Sequence, residues 1–174
     1  MSGNQQKEQR MNRNVVKAVS GPPSALVTDI GLLILRLAVA AVFIAHGWGD
    51  VVDAGVSTNV ENYRGAGIPL PEVAAPFAAY VQLFGGILVA FGVLTRPLSL
   101  GFVIVMAGAL IFVHRGEPLV MSQDGSGSGF AFIMCAASIL LLLAGAGRFS
   151  LDRVLADRWL RSADSRNPAD QPTG

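Results

Sequence analysis

The chain has 174 residues, 52% of them hydrophobic and 14% charged, with a formal net charge of +1 and a mean hydropathy of +0.51. Soluble domains carry roughly 25% charged residues, so this composition excludes an ordinary soluble fold and points to a polytopic membrane protein. The near-neutral charge offers nothing to nucleic acid, and the single cysteine, Cys135, excludes an intramolecular disulfide framework or a CxxC redox or zinc motif.

Residues 1–28 are polar, with Lys7, Arg10, Arg13 and Lys17 ahead of Gly21-Pro22-Pro23, and are expected to form a disordered tail. The long polar lead and an arginine inside the first apolar run argue for a retained span over a cleaved signal peptide. A bilayer core of about 30 Å needs about 20 mostly apolar helical residues. Four stretches are read as meeting it. The first is Asp29–Gly47 and contains Arg36. The second, Glu72–Leu94, has Pro76 in its first turns and Gln82 near its middle. The third starts at Pro97, a residue suited to a first helical turn, with Thr95 as its cap, and reaches His114. The fourth, Ser128–Ala146, carries no charge.

Past Gly145-Ala146-Gly147, Ser150 is placed to cap a further helix, with Asp152 near its positive end. Leu151, Val154, Leu155 and Trp159 share a face opposite Arg153, Asp157 and Arg161, the pattern of an amphipathic helix on the inner membrane surface. The expected organisation is a tail at 1–28, a four-span domain at 29–148, an interfacial helix at 149–161 and a disordered tail at 162–174. Short connections between spans make this an all-α, integral membrane, antiparallel four-helix bundle.

Orientation follows from the excess of Lys and Arg on cytoplasmic segments. With the amino terminus inside, Lys7, Arg10, Arg13, Lys17, Arg96, Arg148, Arg153, Arg158, Arg161 and Arg166 all fall on the inner side. The outer loops keep only Arg64 and Arg115, and collect Asp50, Asp53, Glu61, Glu72, Glu117 and Asp124. Both termini are therefore expected to be cytoplasmic.

A charge inside a span is expensive and needs a partner. At 1.5 Å per residue Arg36 lies roughly 10 Å, and Gln82 roughly 18 Å, from the inner end of its span, a difference that an extended arginine can bridge. Gln82 is thus the expected partner, although its carbonyl satisfies a guanidinium without neutralising it. Two readings of Arg36 stand side by side: it holds the bundle together, or it meets an anionic or quinone-like headgroup. His46 and His114 fall at the outer ends of their spans, near Asp50 and Glu117. Two histidines with two carboxylates are permissible metal chemistry. Nothing in the spacing brings the pairs to ligand distance, so no metal is assigned and both histidines are read as hydrogen-bonding the loops.

Several features have plainer readings. Gly125–Gly129 lacks the GK[ST] ending and preceding strand of a phosphate loop and reads as a linker. Trp48, Tyr63 and Tyr80 mark interfaces or packing, and Met106, Met121, Met134 and Cys135 packing. Gly85, Gly86, Ala90, Gly101, Gly108, Ala136 and Ala137 allow helices to approach closely. No nucleophile–base pair, haem-ligand pair, flavin motif or nucleotide loop is visible, so an autonomous enzyme is not expected. The polar set left for ligand binding is Arg36, His46, Gln82 and His114.

Taken together, Arg36 in the first span, His46-Gly47 at its end and Gly67-Ile68-Pro69 in the first outer loop resemble the DoxX family of small bacterial membrane proteins. Gly85-Gly86…Gly92…Thr95-Arg96, His114, and Gly145-Ala146-Gly147-Arg148-Phe149-Ser150-Leu151-Asp152 extend the resemblance from Asp29 to about Leu160. It implies a four-helix protein of the bacterial inner membrane, tied to membrane oxidoreductases, some of them thiosulfate:quinone oxidoreductases, or to enzymes of oxidative and thiol stress. An accessory or anchoring subunit with protein partners is the function it suggests. The alternative is a binder or carrier of a quinone or thiol metabolite with no catalytic centre of its own. Where relatives commonly carry glutamates this chain has Gln82 and Gly129, and Gly49-Asp50 stands where a lysine often follows the His-Gly pair. Those departures remove the obvious intramembrane proton carriers.

Overall fold

The structure, a computed structural model, describes residues 3–21, 23–123 and 125–164. Every regular element among them is a helix. In chain order these are α1 (Gly3–Ser20), α2 (Ala25–Trp48), α3 (Val56–Gly65), α4 (Pro71–Tyr80), α5 (Gly86–Phe91), α6 (Thr95–Gly108), α7 (Gly129–Ala144) and α8 (Leu151–Asp164). Three π-helical turns prolong them: Gly49–Asp53 after α2, Val81–Gly85 joining α4 to α5, and Ala109–Val113 after α6.

With those turns included, three helices are long and apolar enough to cross a membrane: Ala25–Asp53, Pro71–Phe91 and Thr95–Val113. The first starts before the expected Asp29 because Ser24 caps it, its side chain accepting from Val27 N at 3.4 Å. The fourth apolar helix, α7, has 16 residues, about 24 Å at 1.5 Å per residue, and is shorter than the stretch read from sequence. Gly145, at φ 82, ends it. Three other expectations shift. Residues 3–20, expected to be disordered, form α1, a helix of strong formers (Gln, Lys, Glu, Arg, Met) whose described side chains are exposed. The loop between the first and second of these long helices contains α3. Of the expected carboxy-terminal tail, residues 162–164 belong to α8. Residues 165–174, with Arg166, and also Asp124, lie outside the described residues.

The spacing of buried residues on α2 shows how the bundle is organised. Asp29, Arg36, Ala40, Phe43 and Gly47 form one buried stripe, while Leu26, Ile30, Ile34 and Leu37 form an exposed apolar one. An exposed apolar stripe on a helix of this length is in contact with lipid acyl chains. The buried stripe meets Val89, Phe102, Met134 and Leu141 in one core, where the Phe43 and Phe102 rings stack with centroids 4.0 Å apart. Lipid tails are as apolar as these side chains, so what holds the core is close packing more than exclusion of water.

Gly47 and Gly86 make that packing close. A Cβ on Gly47 would overlap the backbone of Leu83, and one on Gly86 would come within 2.8 Å of Ile44 Cγ1. Gly108, grouped with them by sequence, has nothing within 4 Å and lets no neighbour approach. Helix α6 packs along α7, and α2 lies against the α4–α5 unit.

Candidate functional site

Two polar clusters form at opposite ends of α2. The first surrounds Arg36, which is 2% exposed. Its Nη1 donates to the carbonyl of Ala146 at 2.7 Å and its Nη2 to that of Phe149 at 2.6 Å. Gln82 is not the partner. A helical side chain leans toward the amino terminus of its own helix, so Arg36 reaches down to the segment after α7, away from the depth of Gln82.

That segment is tied at several points. Asp29 Oδ1 accepts from Arg148 N at 3.0 Å, and Ser150 Oγ accepts from Arg153 N at 3.3 Å, the cap expected for α8. Asp152 acts electrostatically on Arg36 and also caps α6. Its Oδ1 accepts from Leu94 N at 2.8 Å and its Oδ2 from Thr95 N at 3.1 Å. Thr95 was expected to cap α6 with its own hydroxyl. Instead Thr95 is the capped residue, and its hydroxyl is buried without a partner, as are Ser99 Oγ and Arg36 Nε. Arg96 Nη2 donates to Leu143 O at 3.1 Å. This end of the molecule is a clasp of side chains on backbone.

The second cluster lies where the first span ends, the second begins and the third ends. His46, Asp50, Tyr63 and Gln82 line one cavity of about 590 Å³, together with Phe77 and Phe112. Gln82 is 4% exposed, and its Nε2 donates to Asp50 Oδ2 at 3.4 Å. Asn59 Nδ2 donates to the Asp50 carbonyl at 2.9 Å and ties α3 to the end of the first span. His46 Nδ1 lies 3.0 Å from the carbonyl of Val42; a carbonyl only accepts, so Nδ1 carries a proton, and in the neutral ring Nε2 is left as an acceptor. The His46 ring stacks on Phe130 at 5.8 Å. Burial pushes the Tyr63 phenol pKa up, and the charge of Asp50 adds to the effect. The facing wall is apolar, from Ile104 through Val113 on α6 and its π turn.

All three π-helical turns reach this cavity: Asp50 comes from the first, Gln82 from the second, and Ile111, Phe112 and Val113 from the third. Such turns widen a helix, leave its hydrogen-bond register irregular, and recur at functional sites.

Of the four residues singled out from sequence, the structure brings His46 and Gln82 together. Arg36 belongs to the clasp. His114 ends the third span and does not line the cavity, with its Nδ1 2.7 Å from Glu117 Oε2, which also accepts from Gly127 N at 3.0 Å. His46 and His114 therefore serve separate contacts. Tyr63, read as an interface residue, is a cavity residue, and Asp152, read only as a helix-end charge, is one of the clasp's two carboxylates, with Asp29. The spacing of His46 and Asp50 was a signal for the cavity; nothing local signals Asp152, which lies more than a hundred residues from Arg36.

The DoxX family model matches residues 31–115. "Putative oxidoreductase CatD" of Bacillus subtilis is 30% identical over 124 residues, covering 71% of this chain and 86% of the relative. Inner membrane protein YphA of Escherichia coli is 31% identical over 127 residues, 70% of this chain and 88% of the relative. Inner membrane protein YqjF of Escherichia coli is 28% identical over 137 residues, 75% of this chain and 96% of the relative. No solved structure matches the chain. The buried first-span arginine, the three membrane-length helices and these relatives agree: the chain belongs to the DoxX family of membrane proteins.

Proposed function

We propose that this protein is a membrane-embedded binder of a small amphipathic molecule, one with a polar head and an apolar body, the class to which quinones belong. The observation that carries the reading is the convergence of three π-helical turns on one cavity with a polar wall and an apolar wall. Its volume is within the range of small-molecule sites, roughly 300–1,000 Å³. The site residues in this reading are His46, Asp50, Tyr63 and Gln82. Arg36 has its hydrogen bonds inside the protein and serves assembly.

In the same reading α7 and its flanking residues complete a fourth span, the four spans run antiparallel, and both termini are cytoplasmic. The distribution of Lys and Arg supports that orientation. The cavity then opens toward the outer leaflet and the clasp lies at the inner one. The protein as purified in mild detergent should retain apolar small molecules, identified by mass spectrometry of the extracted ligand. Ala107→Trp, which places an indole in the cavity, should abolish retention. Equal ligand content in both proteins would refute the site.

A second reading, an accessory or anchoring subunit of a membrane oxidoreductase, is favoured by α8. Leu151, Val154, Leu155 and Trp159 are exposed there, Trp159 to 73%, and the clasp fixes where the helix starts. The relative named as an oxidoreductase supports a redox setting. Affinity purification that recovers stoichiometric protein partners, lost when Leu155 and Trp159 are replaced by serine, would establish this role beside the first. Recovery of the chain alone would count against it.

A further inference from the structure

The hydrogen-bonding groups of the cavity's polar wall are not evenly divided. Three of its N–H protons are used inside the protein. The His46 Nδ1 proton goes to Val42 O, Asn59 Nδ2 to the Asp50 carbonyl, and Gln82 Nε2 to Asp50 Oδ2. Left on the lining residues are three acceptors, His46 Nε2, the second carboxylate oxygen of Asp50 and Gln82 Oε1, against one further N–H of Gln82 Nε2 and the Tyr63 hydroxyl, which acts either way. A ligand head made only of carbonyl or ether oxygens can accept from those two donors but leaves the Asp50 carboxylate, the charged acceptor of the wall, without a proton to take.

Resting on the cavity assignment above, we infer that this site selects a head that donates hydrogen bonds: a hydroxyl, as in a phenol or alcohol, carried on an apolar body. A protonated amine also donates, but an ammonium pays a far larger cost on leaving water. One hydroxyl can be shared between Asp50 and His46 Nε2, which makes at least one charge-assisted hydrogen bond. The apolar body lies along the wall from Ile104 to Phe112, and Phe77 supplies an aromatic face.

The test uses two probes that differ by one O-methyl group, 4-heptylphenol and 4-heptylanisole, titrated against the full chain in detergent, with Ala107→Trp as the blocked reference. Only the phenol donates. The expected result is a phenol affinity about tenfold above that of the anisole, as one hydrogen bond to a charged acceptor supplies. Asp50→Asn should cut that preference, because it replaces one acceptor oxygen with a donor. Equal affinities for both probes, each lost in Ala107→Trp, would overturn the donor preference and leave the cavity reading standing. Binding of neither probe, or binding that Ala107→Trp leaves unchanged, would overturn both. The wild-type comparison needs no variant to fold.

Discussion

Asp152 Oδ1 accepts a hydrogen bond from Leu94 N at 2.8 Å, and Leu94 stands in the left-handed backbone region at φ 50. A leucine there costs about 1–2 kcal/mol. It is held because the same carboxylate also takes Thr95 N, while Asp152 N donates to Gly92 O at 2.9 Å. One residue at the start of α8 thus fixes the turn between α5 and α6, and its charge faces Arg36.

Asp152→Ala should therefore destabilise the protein more than the loss of an ordinary cap, which is worth about 1 kcal/mol. It removes the two hydrogen bonds that hold Leu94 and Thr95 in place and leaves Arg36 without its nearby carboxylate. A loss of about 2 kcal/mol or more is expected in thermal or denaturant unfolding in detergent. Asp152→Asn keeps one acceptor but no charge and should fall between the two proteins. Equal stability of Asp152→Asn and wild type would show that the charge facing Arg36 contributes nothing.

Arg36→Ala leaves the carbonyls of Ala146 and Phe149 without their donors in a part-buried site. The expected cost is about 3 kcal/mol, together with faster proteolysis of the segment after α7. Arg36→Lys should recover only part of it, since an ammonium lacks the planar fork that spans two carbonyls. Retention of cavity ligand per folded molecule should stay at the wild-type level in both variants. A selective loss of ligand with unchanged stability would move Arg36 from the clasp to the site.

Much of this was readable in the chain, and the unreadable part has a physical reason. The stripe Asp29, Arg36, Phe43, Gly47 follows helical spacing, so the buried face of α2 and the cost of its arginine are evident without coordinates. The partner of Arg36 was missed because depth counting places Cα atoms and ignores the lean of the side chain toward the helix amino terminus. Its true partners are main-chain carbonyls, which carry no residue-type signature. The cavity was half visible, in His46 with Asp50 one turn later. Tyr63 comes from a loop helix of another sequence neighbourhood. The π turns that gather Asp50, Gln82 and Phe112 have no compositional mark, since a shift of register by one residue leaves hydropathy unchanged.

The glycines offer a direct contrast. Gly47→Ala must push Leu83 backbone away from α2, whereas Gly108→Ala meets nothing within 4 Å. Overpacking costs typically 1–3 kcal/mol, and a helical alanine gains up to about 1 kcal/mol over glycine. Gly47→Ala should lower unfolding stability clearly, and Gly108→Ala should leave it unchanged or raise it slightly. Gly47 and Leu83 adjoin the cavity residues His46 and Gln82, so ligand retention should fall with Gly47→Ala as well. Equal stability of the two variants would mean that α2 and the Val81–Gly85 turn do not cross as closely as described.

Tyr63 makes the α3 segment sensitive to alkali in a predictable direction. Its phenol pKa is raised first by burial and then by the negative charge of Asp50, so the folded protein holds the phenolic proton more tightly than the unfolded chain. Stability from this group is fully present below the unfolded value of about 10, and is lost as pH rises through the higher folded value. Unfolding midpoints measured from neutral pH upward should therefore stay level and then fall beyond about pH 10. Tyr63→Phe has no proton to lose and should flatten the part of that fall owed to residue 63. Asp50→Asn removes the second cause but not the first, so it should shrink the effect without abolishing it. Phenolate absorbance, followed in wild type and Tyr63→Phe, assigns the titration to this residue. If the difference between those two spectra titrates at the ordinary tyrosine value, Tyr63 is not buried against Asp50, and the polar wall of the cavity loses one of its four members.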